Sequence, residues 1–141
     1  MLRIKSMRSN LKAFCIGLLM YLLIYGLKYG YEEALFRPES MASLKRLFFF
    51  GSTIFALMLL VVPSYVAGLF VTDKGTMIGL FVAAIGFSAR FFLGLFLRNA
   101  FPLELVILST WLEQLLVPAT IGAVSGAAGQ LHRMAHNTKR L

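Results

Sequence analysis

Apolar residues gather along the chain in four long runs separated by short polar breaks, without the strict alternation of a half-buried strand. The runs extend from about Leu11 to Leu27, Leu47 to Val71, Thr76 to Leu97 and Leu103 to Gly129. A hydrocarbon core about 30 Å thick takes about 20 residues of helix, and a helix satisfies its own backbone where no water can. The pattern therefore predicts an all-α polytopic membrane protein. It reads as one domain over residues 1–141, a four-transmembrane-helix bundle of two antiparallel hairpins, with basic ends at 1–10 and 130–141.

The breaks carry their own information. Thr72-Asp73-Lys74-Gly75 is a tight polar turn, so the second and third helices should be antiparallel neighbours. The first run is the shortest and ends among Tyr21, Tyr25, Tyr29 and Tyr31, which suit an interfacial aromatic belt. A loop is expected from Tyr29 to Arg46. Within it, Arg37-Pro38-Glu39-Ser40 places Pro near a helix start with an acid in the first turn, so the second helix should begin there, before entering lipid. Pro63 followed by Ser64 marks the expected kink site of that helix. The third and fourth runs part at Arg98-Asn99-Ala100-Phe101-Pro102, and the short basic tail after Gln130, which continues the fourth helix through His132 and His136, should fray at its end.

Composition agrees with lipid as the solvent. Apolar residues make up 59% of the chain and charged residues 14%, with a mean hydropathy of +0.79; an ordinary soluble domain has about 25% charged residues. The net charge of +8 sits at chain ends and helix borders, where it meets anionic headgroups and sets orientation, and no compact basic domain exists to bind nucleic acid. Arg3, Lys5, Arg8, Lys12, Lys74, Arg133, Lys139 and Arg140 fall on the side of both termini, and Lys28, Arg37, Lys45, Arg46 and Arg98 on the other. The excess places both termini in the cytoplasm, with the protein integral to the plasma (inner) membrane. Lone Cys15 excludes an intrachain disulfide and reads as a small packing residue. No Ala-x-Ala type site follows the first run, which is read as retained, not as a cleaved signal.

Two charges lie inside expected spans, Arg90 and Glu113, and each costs about 2.5 to 3.5 kcal/mol at a helix centre on insertion scales. Counted from the shared loop, Arg90 is roughly 12 Å and Glu113 roughly 13.5 Å into its helix, so the two should stand at one level. They are expected to form an intramembrane ion pair, with Gln114, Ser88 or Ser109 completing hydrogen bonds. Such a pair locks the hairpin or serves the movement of an ion or substrate; Arg90 could instead snorkel to the interface. Small residues form the second pattern. Gly75, Gly79, Ala83, Gly86 and Gly94 share a face of the third helix, and Gly122 and Gly126 stand in the C-terminal half of the fourth, at matching depth. Close helix packing is the expected consequence.

His132 and His136 are spaced i, i+4, but the chain supplies no obvious third metal ligand, and the basic residues beside them suit a headgroup-facing tail. No catalytic Ser, His and Asp set, no convergent acid pair and no phosphate loop appear. Catalytic residues, metals and cofactors are therefore not expected. Pro63-Ser64-Tyr65-Val66-Ala67-Gly68 closing the second helix, a short turn, a glycine-bearing third helix and the run from Gly122 to Gly129 closing the fourth resemble small uncharacterised four-span prokaryotic membrane proteins over residues 47 to 130. The expected function is that of a non-enzymatic structural or accessory membrane subunit. It would act through helix contacts in a homo-oligomer or larger membrane complex; a small transporter or channel subunit using Arg90 and Glu113 is the alternative.

Overall fold

In a computed structural model the chain forms four α-helices, α1 (Leu2–Leu35), α2 (Ala42–Phe70), α3 (Gly75–Leu97) and α4 (Leu105–Thr138). The structure describes residues 2–35, 42–71, 73–97 and 105–138. The helix-start signal at Arg37–Ser40 and the break at Arg98–Pro102 lie outside the described residues. Helix α1 runs on to Leu35 where a loop is expected from Tyr29; α4 continues past Gln130 to Thr138, and the chain end that is expected to fray lies outside the described residues. Helix α2 is continuous through Pro63, whose ring is buried in the bundle.

Consecutive helices pack antiparallel. Glu32 meets Ser52 and Ser9 meets Phe70 across α1 and α2, while Gly75 meets Gln130 and Ser88 meets Trp111 across α3 and α4. Helices α2 and α3 occupy the middle; α1 and α4 flank them and do not touch each other among the described residues.

The packing is inverted relative to a water-soluble bundle. Leu22, Phe49, Phe50, Leu57, Phe81, Leu116 and Val124 point outward, whereas the buried positions include Ala13, Ser64, Ala67, Val82 and Ala83. Tyr21, Ile24 and Leu59 form the cluster of large buried side chains among the described residues, against which Tyr25, Phe55 and Val62 pack. An outer surface so rich in large apolar groups has no stable place in water, and an interior of small residues is how helices approach when hydrocarbon surrounds them. Three helices are long and apolar enough to cross a membrane, over Met7–Ala34, Leu47–Phe70 and Gly75–Phe96. Among the described residues, helix α4 is not one of them.

The Asp73 turn is tied down from both flanks, which explains why α4 outlasts its apolar run. The first amide of α3, Gly75 N, has no partner within its own helix; it donates to Gln130 Oε1 at 2.7 Å. Arg133 Nη1 donates to the Val71 carbonyl at 2.8 Å, just past the end of α2, where a cation also meets the negative end of the helix dipole. From α1, Ser9 Oγ donates to Phe70 O and Asn10 Nδ2 to Asp73 Oδ1, both at 3.3 Å. Between these anchors Lys74 has φ of 64°, a left-handed conformation that disfavours a residue with Cβ. Lys74→Gly should therefore stabilise the protein by about 1 kcal/mol, read as a higher unfolding midpoint in detergent; an unchanged or lower midpoint would show that the turn gains nothing from glycine.

Candidate functional site

A close backbone approach lies beside that turn. A Cβ on Gly79 would stand 2.8 Å from Gly126 Cα, and a Cβ on Gly126 would stand 2.8 Å from Gly79 Cα, so the two glycines meet face to face. Gly122 abuts Ala83 and the Gly79 carbonyl, and Gly75 abuts Gln130. Helix α2 joins the same crossing, since Gly68 lies on the Gly126 carbonyl and Gly129 on Tyr65 O and Gly68 Cα. Ser64 Oγ, buried, donates to the Gly79 carbonyl at 3.0 Å, satisfying its hydroxyl inside the crossing.

Not every glycine of the α3 face takes part. Gly86 packs on the Tyr21 ring of α1, not on α4, and nothing lies within 4 Å of a Cβ placed on Gly94. The reason is geometric: α3 and α4 touch most closely at the Gly79–Gly126 end and leave space at the other. Gly26 and Gly30 likewise have open space beside them. Gly17, which no pattern in the sequence singles out, is a packing position of α1, with Val82, Ala67 and the Pro63 carbonyl crowding it. Cys15 is exposed on α1 and has no packing role.

At the open end of the α3 and α4 pair stands Arg90. A cavity of about 310 Å³ bordered by all four helices is walled by Leu59, Leu60, Phe87 and Val117, with Arg90, Gln114 and Tyr21 as its polar members. An adjoining cavity of about 300 Å³ shares Phe87, Arg90 and Gln114 and reaches Gly94 and Leu95. The Arg90 guanidinium lies 5.9 Å from the centre of the Tyr25 ring, a cation–π distance. The Tyr21 hydroxyl lies beside it, and its charge reaches Glu32 at longer range.

Glu32 itself is held by α1 and α2. Lys28, buried one turn earlier, forms an ion pair with Glu32 Oε1, and Ser52 Oγ donates to the same oxygen at 2.6 Å. Tyr31 Oη donates to the Leu47 carbonyl at 2.6 Å beside them. Lys28–Glu32 is thus an i, i+4 ion pair along α1. The structure does not bring Arg90 and Glu113 together: Glu113 is exposed on the outside of α4. The neighbours of Glu113 explain this. Trp111, which donates Nε1–H to Ser88 Oγ at 3.2 Å, faces α3, and Pro118 and Gly122 continue the packed face. Two residues along a helix turn the side chain by about 200°, so Glu113 faces away from Trp111 and from α3. Depth matched; azimuth did not.

No protein-family model, curated protein or solved structure matches this chain. What the arrangement can do must be read from its own groups.

At the far end, His132 stacks edge to face on Tyr65, with ring centres 6.2 Å apart, and His136 follows at 6.2 Å from His132. No cluster of three metal-ligating side chains occurs among the described residues. Sequence reasoning passed over the Lys28, Glu32, Ser52 and Tyr31 group because it treated this stretch as a solvated loop. The signal was present: Lys28 and Glu32 have the i, i+4 spacing of a helical ion pair.

Proposed function

We propose that this protein is a non-enzymatic membrane subunit with four spans, acting through helix contacts with a second copy or a larger membrane partner. The observation that carries the reading is Glu113. The antiparallel register of α3 and α4, with Gly79 on Gly126 and Gly122 on Ala83, sets Glu113 within about one turn of the level of Arg90, which is roughly 9 Å along α3 from Phe96, the end of its apolar stretch. Glu113 is exposed there, between Leu112 and Leu116, which also point outward. A carboxylate at that depth is too costly to leave against hydrocarbon, and such groups face a protein neighbour or water. A partner helix that brings a hydrogen-bond donor or a cation to Glu113 resolves the cost.

Transport through an Arg90 and Glu113 pair is the weaker reading, because the two groups lie on different sides of α4. The excess of Lys and Arg at the termini and the Asp73 turn supports an orientation with both termini in the cytoplasm of a cell whose inner membrane holds the protein. The basic ends then meet anionic headgroups.

Cysteine crosslinking in native membranes tests the contact face. In a Cys15→Ser background, Leu116→Cys or Thr120→Cys, both on the Glu113 side of α4, should give a crosslinked adduct with a second copy or another chain. Leu22→Cys on exposed α1 should not. Adding Glu113→Leu should cut the adduct several-fold. An α4 cysteine that crosslinks no better than the α1 control, together with a Glu113→Leu protein of unchanged assembly size, would remove the basis for the proposal.

A further inference from the structure

We propose that the cavity beside Arg90 binds an anionic amphiphile, a molecule with one negatively charged oxygen head on a hydrocarbon tail. The argument begins with charge. Lys28 pairs with Glu32 at the end of the bundle where Arg90 also stands, and the Arg90 charge reaches Glu32 only from beyond ion-pair distance. Two cations and one carboxylate at this end leave one net positive charge. Among the described residues no other carboxylate neutralises it: Glu33 is exposed, Glu113 points outward and Asp73 sits at the opposite end.

Hydrogen bonding points the same way. A guanidinium carries five N–H donors in a rigid fork, and the Tyr21 hydroxyl that it meets can accept two at most. The remaining donors border the two cavities, where the oxygens of a ligand can reach them. A carboxylate or a phosphate monoanion matches that fork with two oxygens and supplies the missing charge. The side-chain amide of Gln114, on the wall of both cavities, offers a further donor to the head.

The walls select the rest of the molecule. Leu59, Leu60, Phe87 and Val117 offer hydrocarbon, so a small inorganic anion would leave most of the lining unused. A tail lying along α2 and α4 buries against them while its head reaches Arg90. Two sources have this chemistry, a free fatty acid and an anionic phospholipid. The inference stands apart from the assembly role of Glu113, which lies on another face.

Delipidated full-length protein in a neutral detergent provides the test, using thermal unfolding and native mass spectrometry. Palmitate, phosphatidylglycerol, phosphatidylcholine and inorganic phosphate are added separately. Palmitate or phosphatidylglycerol should raise the unfolding midpoint and remain bound in the spectrum, and whichever binds more tightly identifies the source. Arg90→Gln should weaken that binding by at least about 10-fold, the effect of losing one charge-assisted contact of about 1.4 kcal/mol. Leu60→Trp keeps Arg90 and fills the cavity; it should also abolish the shift, and it decides the matter if the Arg90 variant fails to fold. Equal binding of phosphatidylcholine, a full effect from phosphate alone, or undiminished binding in the Leu60 variant would each overturn the proposal, as would binding of neither amphiphile.

Discussion

Gly126→Leu, or Gly79→Leu, should abolish the folded bundle or lower its unfolding midpoint by roughly 10 °C or more. Each glycine faces backbone, not a side-chain end that can rotate away, and a Cβ on either would stand 2.8 Å from the other's Cα. Overpacking an ordinary core costs about 1–3 kcal/mol because neighbours yield. Here α3 would have to leave α4, and α2 is held at the same crossing by Gly68 on the Gly126 carbonyl and by Ser64 on the Gly79 carbonyl. Folded proteins are stable by only about 5–15 kcal/mol, so losing that crossing removes a large part of the total. Gly94→Leu and Gly26→Leu add the same side chain where nothing lies within 4 Å. Both should leave the midpoint within a few degrees. Size-exclusion profiles and unfolding curves in one detergent check the set; a stable Gly126→Leu protein would show that the helices do not cross there.

The second large effect is an asymmetry. Glu32→Gln should destabilise the protein by about 3 kcal/mol, while Lys28→Met should cost about 1 kcal/mol. An isolated ion pair predicts similar losses from either side. This one is not isolated, because Arg90 also attracts Glu32. Removing Lys28 leaves one cation facing one carboxylate, a neutral set. Removing the Glu32 charge leaves Lys28, which is 8% exposed, and Arg90 without a counter-charge between them among the described residues. It also leaves Ser52 hydrogen-bonded to a neutral amide in place of a carboxylate. Unfolding curves for both single variants and the double variant give the coupling, and equal single losses would separate Arg90 from the group.

Much of this molecule is legible before any coordinates. Four helices follow from the lengths of the apolar runs, and the tight turn at Asp73 follows from its polar residues, because a bilayer allows little choice of backbone. The small residues of α3 and α4 mark a close crossing for the same kind of reason: only glycine and alanine let backbones touch. Element ends were harder to read. Helix α1 passes through Lys28 and Glu32 since these two pair along its axis and Ser52 of α2 satisfies the carboxylate, and α4 persists because Gln130 and Arg133 cap the turn opposite.

Partners across helices belonged to the tertiary structure alone. Counting residues from a loop gives the depth of Arg90 and Glu113, but depth is one coordinate and contact needs two. The rotation of α4, set by Gly122 and Gly126 locking onto Gly79 and by Trp111 reaching Ser88, turned Glu113 outward. The placement of α1 against α3, set by Gly86 receiving the Tyr21 ring, gave Arg90 its neighbours in Tyr21, Tyr25 and Glu32. Periodicity along one helix carries no record of how its neighbour is turned, and that angle decided which charge is held inside and which is left for a partner.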